Sequence, residues 1–568
     1  MSNLKLDSTG GGSHEWAEHH HDAGELGHLT GLEALDTAGQ PLVYYFGGIP
    51  YAQAPTGERR FRVPQRLPKD HKYGTREAPG RFVTGTRPCP QPASSNTPAA
   101  SAMSEDCLQL NMWVPAGPAP AGGWPVCVWI HGGFLQVGSP NLGRDALVPL
   151  LADPRSAVRA IFVMPAYRLN ALGFLGGSAL AAEAAAAGEP CGNAGLWDQR
   201  AALEWTRDCI AAFGGDPANI SVLGYSAGAY SVFQQLAHEL YRHDDDVRPG
   251  GETAIIRRVA MLSNGPGVRP KSLDDQQRQF DELANLLGIP ADLPAAAKLA
   301  ELRRRPWEDL VAVQNGGDGA EKTMRESEFR AWADGDFYPL ETLGAIASGD
   351  FAARMRARGI TLLTGECEQE HTVYVRWRTP ADSYAAVNQR LCADYGDEAG
   401  RRILEHYCCG DGDGGALPAG YKDWQDLFGR LYANVQVHHL SRGFLDGLFR
   451  GGLVAGRDVL RYRMERRVAC VDERLLPEWG VTHLSDIPVW LWGADYAGGL
   501  TGEEKEMLAI WNQSLAEFVR GDAVVSGWEG TSGPLDVRRW RRDGGTDVWE
   551  DGELWDQGVA FWKSVNQQ

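Results

Sequence analysis

A serine hydroxyl becomes a nucleophile when it is held exposed beside a base and beside amide donors that stabilise a developing oxyanion. Ser226 has the setting for this. It is the centre of Gly224-Tyr225-Ser226-Ala227-Gly228, a G-x-S-x-G run. ISVLG at 220–224 precedes it as a β-branched apolar stretch, and Val232, Phe233, Leu236 and Leu240 then recur at helical spacing. A strand turning at once into a helix brings two backbones close, so the residues around the serine must be small, as Gly224, Ala227 and Gly228 are. The N–H of Ala227 falls in the first helical turn, unpaired within the helix and available to an oxyanion. A second donor set is His131-Gly132-Gly133-Phe134, directly after the apolar run PVCVWI at 125–130. Two glycines after a strand let amides face a site with no Cβ in the way, so Gly132 and Gly133 are candidate donors. An ordinary Gly turn is the alternative, and His131 reads as structural. Losing one such donor typically costs roughly 3 kcal/mol of transition-state stabilisation. The chemistry implied is acyl transfer through a serine ester.

The elements that must position these residues are legible in outline. LEALDT and PLVYYFGGIPYA read as two strands of a hairpin around AGQ. PVCVWI, AIFVMP (160–165) and ISVLG read as strands buried on both faces, and ITLLTG (360–365) and IPVWLWG (487–493) as two more. Thr501 and Glu504 form a capping box, after which Met507, Leu508, Trp511, Leu515 and Phe518 share one face before Gly521 stops the helix. Strands interleaved with helices, with no long linker, predict one doubly wound α/β domain over 29–568. Residues 1–28 are Gly-, His- and acid-rich without apolar periodicity, and are expected to be a flexible tail. Its His14, His19, His20, His21 and His28 are taken as solvated rather than as metal ligands.

Composition narrows the partners. With 74 acidic and 55 basic residues the net charge of −19 opposes nucleic acid and anionic membrane surfaces, which leaves a small molecule as the expected partner. No run of about 18 apolar residues suggests a membrane span, and the first residues lack the apolar core of a secretory signal. A cytoplasmic location is expected, with secretion as the alternative. The ten cysteines show no paired C-x-x-C spacing, and adjacent Cys408 and Cys409 form no recognisable ligand set. No metal or organic cofactor is expected. Cys89 and Cys107 bracket a Pro- and Ser-rich stretch that a disulfide would staple, two reduced thiols being the other reading.

Five ordered stretches carry a family resemblance: GIPYAQAPTGERRF (48–61), SEDCLQLN (104–111), YRLNALGF (167–174), GNAGLWDQR (192–200) and FGGDPANISVLGYSAG (213–228). They are similar to the signatures of the type-B carboxylesterase family, which includes cholinesterases and fungal lipases. The resemblance implies the α/β-hydrolase fold: a large, mostly parallel sheet flanked by helices, with helical insertions forming the cleft. It also implies a small-molecule ester substrate and a triad in the order Ser, Glu, His. The acid falls on Glu370 in TGECEQEHTVY (364–374), with Glu366 and Glu368 as rivals. The base falls on His483 in THLSDIPVWLWG (482–493), with His371, His438 and His439 as rivals. Arg60 with Glu105 and Arg168 with Asp198 correspond to structural ion pairs, and Cys89 with Cys107 to the first disulfide of secreted relatives. Two departures stand out. Tyr225 replaces the Glu that cholinesterases carry beside the nucleophile, which is expected to alter packing rather than remove activity. Leu484 stands where the family pattern has Gly. The same site would also suit a lactone, carbamate or amide, and a non-catalytic binding protein of this fold is the rival from another class.

Overall fold

The computed structural model describes residues 14–92, 97–242, 254–315, 323–376, 378–408 and 416–566. Cys409 and residues 1–13 of the expected tail lie outside them. Among the described residues thirteen strands form one sheet: β1 (Glu15–Asp22), β2 (His28–Leu35), β3 (Pro41–Pro50), β4 (Gly80–Arg81), β5 (Gln109–Pro115), β6 (Trp124–Ile130), β7 (Ile161–Pro165), β8 (Gly215–Tyr225), β9 (Ile256–Leu262), β10 (Thr361–Cys367), β11 (Val459–Met464), β12 (Asp536–Trp540) and β13 (Thr546–Glu550). Their spatial order is β1-β2-β3-β5-β7-β6-β8-β9-β10-β11-β12-β13, with β4 paired to β2. From β7 to β12 every neighbouring pair is parallel, and antiparallel strands finish both ends. This is the α/β-hydrolase arrangement, a mixed sheet flanked by helices.

The parallel strands are covered on both faces, which is why they read as unbroken apolar runs. All five residues of β7 are buried, as are six of the seven in β6. The helix Ala227–Arg242 buries Val232, Phe233, Leu236 and Leu240, as its spacing predicts. In the helix Gly502–Arg520 the Thr501 and Glu504 side chains cap each other's backbone N–H, Leu508, Trp511, Leu515 and Phe518 are buried, and Gly521 closes the end at φ +84°.

Two expectations are corrected. The tail ends before Glu15, because Glu15–Asp22 pairs residue for residue with Leu35–His28 as β1. Its histidines lie against the sheet: His19 stacks on Tyr44 with ring centroids 4.0 Å apart, His21 stacks on Phe213 at 5.0 Å, and His20 bonds Thr30 at 3.0 Å. Imidazole faces and an amide ladder stabilise this strand without the apolar alternation that announces one. The run 487–493 is a short helix, Ile487–Trp490, followed by a turn. Pro488 occupies its first turn, where a missing N–H costs nothing, and the N–H groups of Trp490 and Leu491 reach back to Asp486 and Ile487. A short apolar run satisfies either element, and the proline decided it.

Candidate active site

Ser226 sits where β8 passes into the helix Ala227–Arg242. Its φ is +56°, a left-handed conformation that a non-glycine residue holds only when its surroundings fix it. The Ser226 N–H donates to Leu262 O at 2.9 Å, and its carbonyl accepts from Tyr230 N–H at 3.1 Å. Close approach sets the neighbours. A Cβ on Gly224 would fall 2.3 Å from Gly228 O, and one on Gly228 would fall 2.0 Å from Ile130 O at the end of β6. Strand, turn and helix are therefore packed backbone on backbone.

The structure brings Glu370 and His483 to this serine. His483 Nε2 is 2.9 Å from Ser226 Oγ, and its Nδ1 is 2.5 Å from Glu370 Oε2. A carboxylate only accepts, so Nδ1 carries the proton it donates, and Nε2 presents a lone pair to the serine hydroxyl. Glu370 Oε1 accepts from the Cys367 N–H at 2.8 Å. Exposure is 6% for Ser226, 3% for His483 and 0% for Glu370, so the chain of bonds is shielded from water. Glu366, Glu368, His438 and His439 are engaged elsewhere. Glu366 is gripped by Arg442, Arg463 and His438; against the upward push of burial, Arg442 and then His438 hold its carboxyl well below the ordinary range. Glu368 pairs with Arg542 on the surface. His439 bonds Tyr407 at 3.0 Å, and burial pushes it down to about 3; burial likewise lowers His371.

The glycine turn lies against the serine. A Cβ on Gly132 would stand 3.0 Å from the Ser226 Cβ, and Gly133 has φ +110°. Phe134 and Leu135 continue at φ +58° and +65°, conformations that cost non-glycine residues energy. Side chains hold the turn in place. His131 Nδ1–H donates to Gly132 O at 2.8 Å, its ring stacks on Tyr167, and burial pushes its pKa down to about 4, so it stays neutral. Gln136 Nε2 donates to Phe134 O at 3.1 Å and Phe329 O at 2.5 Å. Gln91 receives the Gly138 N–H at 2.8 Å and donates to Gly138 O at 2.9 Å. Gln91 is in turn anchored two residues beyond Cys89, which is joined to Cys107 by a disulfide.

Other residues pack around the site, and Asp486, Tyr374, Tyr462 and Ser263 among them carry no local sequence signal. The ring of Tyr225 packs 4.9 Å from the His483 ring, with its hydroxyl buried and, among the described residues, without a hydrogen-bond partner. Tyr374, one turn past Glu370, stands 5.2 Å from the same imidazole. Asp486, fully buried, accepts from Tyr462 OH at 2.6 Å and from Ser263 OH at 3.2 Å. Burial, and then the nearby Glu370 charge, raise its pKa to about 6 against the downward pull of the Tyr462 bond. Tyr462 lies on β11 and Ser263 just past β9, so only the sheet order assembles this group. Leu484 has φ +85°, the conformation for which glycine is suited, which accounts for the family's preference at that place. Farther out, Arg168 clasps Asp198 through two bonds of 2.7 and 2.8 Å, and Arg60 clasps Glu105 at 2.5 and 2.7 Å while also bonding the carbonyls of 302, 303 and 305.

Residues 22–533 match the model of the carboxylesterase family. The chain is 59% identical over 545 residues to a carboxylic ester hydrolase of Gibberella moniliformis, covering 96% of each. It is 35% identical to an uncharacterised esterase/lipase of Schizosaccharomyces pombe, covering 95% of each, and 29% identical to lipase 1 of Geotrichum candidum, covering 81% of this chain and 82% of that one. A sheet of this topology, with a left-handed serine at the end of β8 and the match across its length, makes the chain a member of the carboxylesterase family, whose chemistry is carboxylic ester hydrolysis.

Proposed function

We propose that this protein cleaves carboxylic esters through an acyl ester on Ser226, with His483 as general base and acid and Glu370 as the group that fixes the imidazole. The observation that carries this reading is the unbroken run of bonds from Glu370 Oε2 through His483 to Ser226 Oγ. In the first step Oγ attacks the ester carbonyl as its proton passes to Nε2, and the imidazolium is stabilised by the Glu370 carboxylate. The oxyanion is met by the N–H groups of Gly132, Gly133 and Ala227. Nε2 returns the proton to the departing alcohol, and a water activated by the same nitrogen then releases the acid. Two features support the donor assignment: Gly132 is backed against Ser226, and the turn is pinned by His131, Gln91 and Gln136 instead of being free to collapse.

The test is labelling with a fluorophosphonate followed by peptide mapping, together with hydrolysis of a p-nitrophenyl ester. The adduct is expected on Ser226, and Ser226→Ala is expected to lower kcat at least roughly 10⁴-fold while the protein stays folded. Near-normal turnover by that variant, or an adduct elsewhere, removes the assignment.

A further inference from the structure

Among the described residues, two hydrogen bonds hold the His483 ring, one from Nδ1 to Glu370 and one from the Ser226 hydroxyl to Nε2. They fix the two nitrogens but leave the ring free to rock about the line joining them, which swings the Nε2 lone pair off its target. Only atoms packed against the ring oppose that motion, and two tyrosines supply them. The Tyr225 ring centroid stands 4.9 Å from that of His483 at an interplanar angle of 43°, and that of Tyr374 at 5.2 Å and 46°. Both tyrosines are held firmly, with exposures of 4% and 1%. Tyr374 is wedged against Phe134 and Tyr432, and Tyr225 ends β8, paired with Leu262 of β9.

Tyr225 is the stiffer support, because its backbone is sheet on one side and the nucleophile's own residue on the other. Ring and Ser226 therefore share one rigid frame. The Tyr225 hydroxyl is buried without a hydrogen-bond partner among the described residues, so the ring is what this side chain brings to the site. Burial, and then the charges of Asp486 and Glu370, push its pKa well above the ordinary phenol value. A carboxylate at this place would add a second charge beside the base, whereas the neutral phenol adds shape alone. That shape matters most once the serine is acylated. Oγ is then an ester oxygen with no proton to donate, the bond at Nε2 is lost, and Glu370 holds the imidazole from one end while Nε2 draws a proton from water.

We infer that Tyr225 is a positioning residue for His483, and that its ring keeps the imidazole in line for proton transfer above all in the release of the acyl group from Ser226. The inference rests on the Ser226–His483 reading above and deepens it by assigning a residue to the second step. In that step the water oxygen bonds to the acyl carbon as its proton passes to Nε2. Nε2 then returns the proton to Oγ as the bond from Oγ to the acyl carbon breaks, giving the carboxylic acid and free Ser226.

Hydrolysis of p-nitrophenyl acetate separates the two steps. Its phenolate leaves with little help from an acid, so acylation sets kcat/KM and deacylation sets kcat. Tyr225→Leu removes the ring and Tyr225→Phe keeps it. The leucine variant is expected to lower kcat by about 10- to 100-fold, the scale of a slightly misplaced catalytic group, with a smaller fall in kcat/KM and hence a lower KM. It is also expected to release a burst of p-nitrophenol equal to the enzyme present before a slow steady state. Tyr225→Phe is expected to keep kcat within about 2-fold of the wild type. Should the leucine variant fail to fold, Tyr225→Met, whose flexible chain fills the space without a flat face, takes its place with the same expectations. An unchanged kcat in the ringless variant overturns the inference, as does a phenylalanine variant no better than it. Equal falls in kcat and kcat/KM without a burst, the mark of a site loosened as a whole, also overturn it. With the wild type active, any of these outcomes sinks this inference alone. No hydrolysis by the wild type, with Ser226 unlabelled, removes the ester hydrolase reading and this inference with it.

Discussion

At the scale of single residues, Asp486 shows how a buried group near the site can couple protonation to stability. Its pKa of about 6 stands above its ordinary 3.8, so the folded chain keeps a proton that the unfolded chain has already released. That contribution is whole below about pH 4 and is lost as pH rises through 6, amounting to about 3 kcal/mol. Asp486→Asn removes the titration. Between pH 4 and pH 8 the wild-type protein is therefore expected to lose about 3 kcal/mol more stability than the variant, whatever constant offset the lost hydrogen bonds introduce. Urea unfolding of both proteins at the two pH values measures it, and parallel pH dependences would contradict the assignment.

At the scale of elements, the junction of β6, β8 and the helix Ala227–Arg242 is where geometry leaves least freedom. Gly228 is packed against the backbone of Ile130, and the obstructing atom is a carbonyl oxygen that cannot rotate away. Gly228→Ala must therefore push the helix off the sheet, at a cost of roughly 1–3 kcal/mol or more, and must move Ser226 with it. The expected result is a lower Tm together with a fall in kcat larger than any change in KM, checked by calorimetry and steady-state kinetics. The glycine turn has the same character but is secured differently. Its three consecutive positive-φ residues depend on Gln91, Gln136 and His131, side chains that come from a disulfide-closed loop, the turn itself and the end of β6.

At the scale of the whole molecule, distant segments reach the site through that turn. The Cys89–Cys107 bond closes a loop of about 18 residues, for which chain entropy gives roughly 3 kcal/mol of stabilisation. The double variant Cys89→Ser, Cys107→Ser is expected to lose about that much in urea unfolding. It is also expected to lower kcat, because Gln91 then holds Gly138 less firmly. Retained kcat in the destabilised variant would show that Gln91 keeps its place without the bond. Among the described residues no helix is long and apolar enough to cross a membrane.

The sequence alone determined the parts whose physics is local. Ser226 was legible because a strand-to-helix turn demands small residues at fixed offsets, and β6, β7 and β8 because strands covered on both faces must be apolar throughout. Glu370 and His483 were reachable only through a family pattern, since a lone carboxylate and a lone imidazole look the same in sequence wherever they lie. What the sequence hid is what depends on contacts between distant segments. β1 was masked by histidines that stack on Tyr44 and Phe213, and β11 by Arg461 and Arg463, whose burial is offset by Asp551 and Glu366. Asp486 meets Ser263 and Tyr462 only when the sheet order sets β9 and β11 on either side of β10. A residue's type fixes the bonds it can make, and the fold decides which partners come within reach and how much water is left between them.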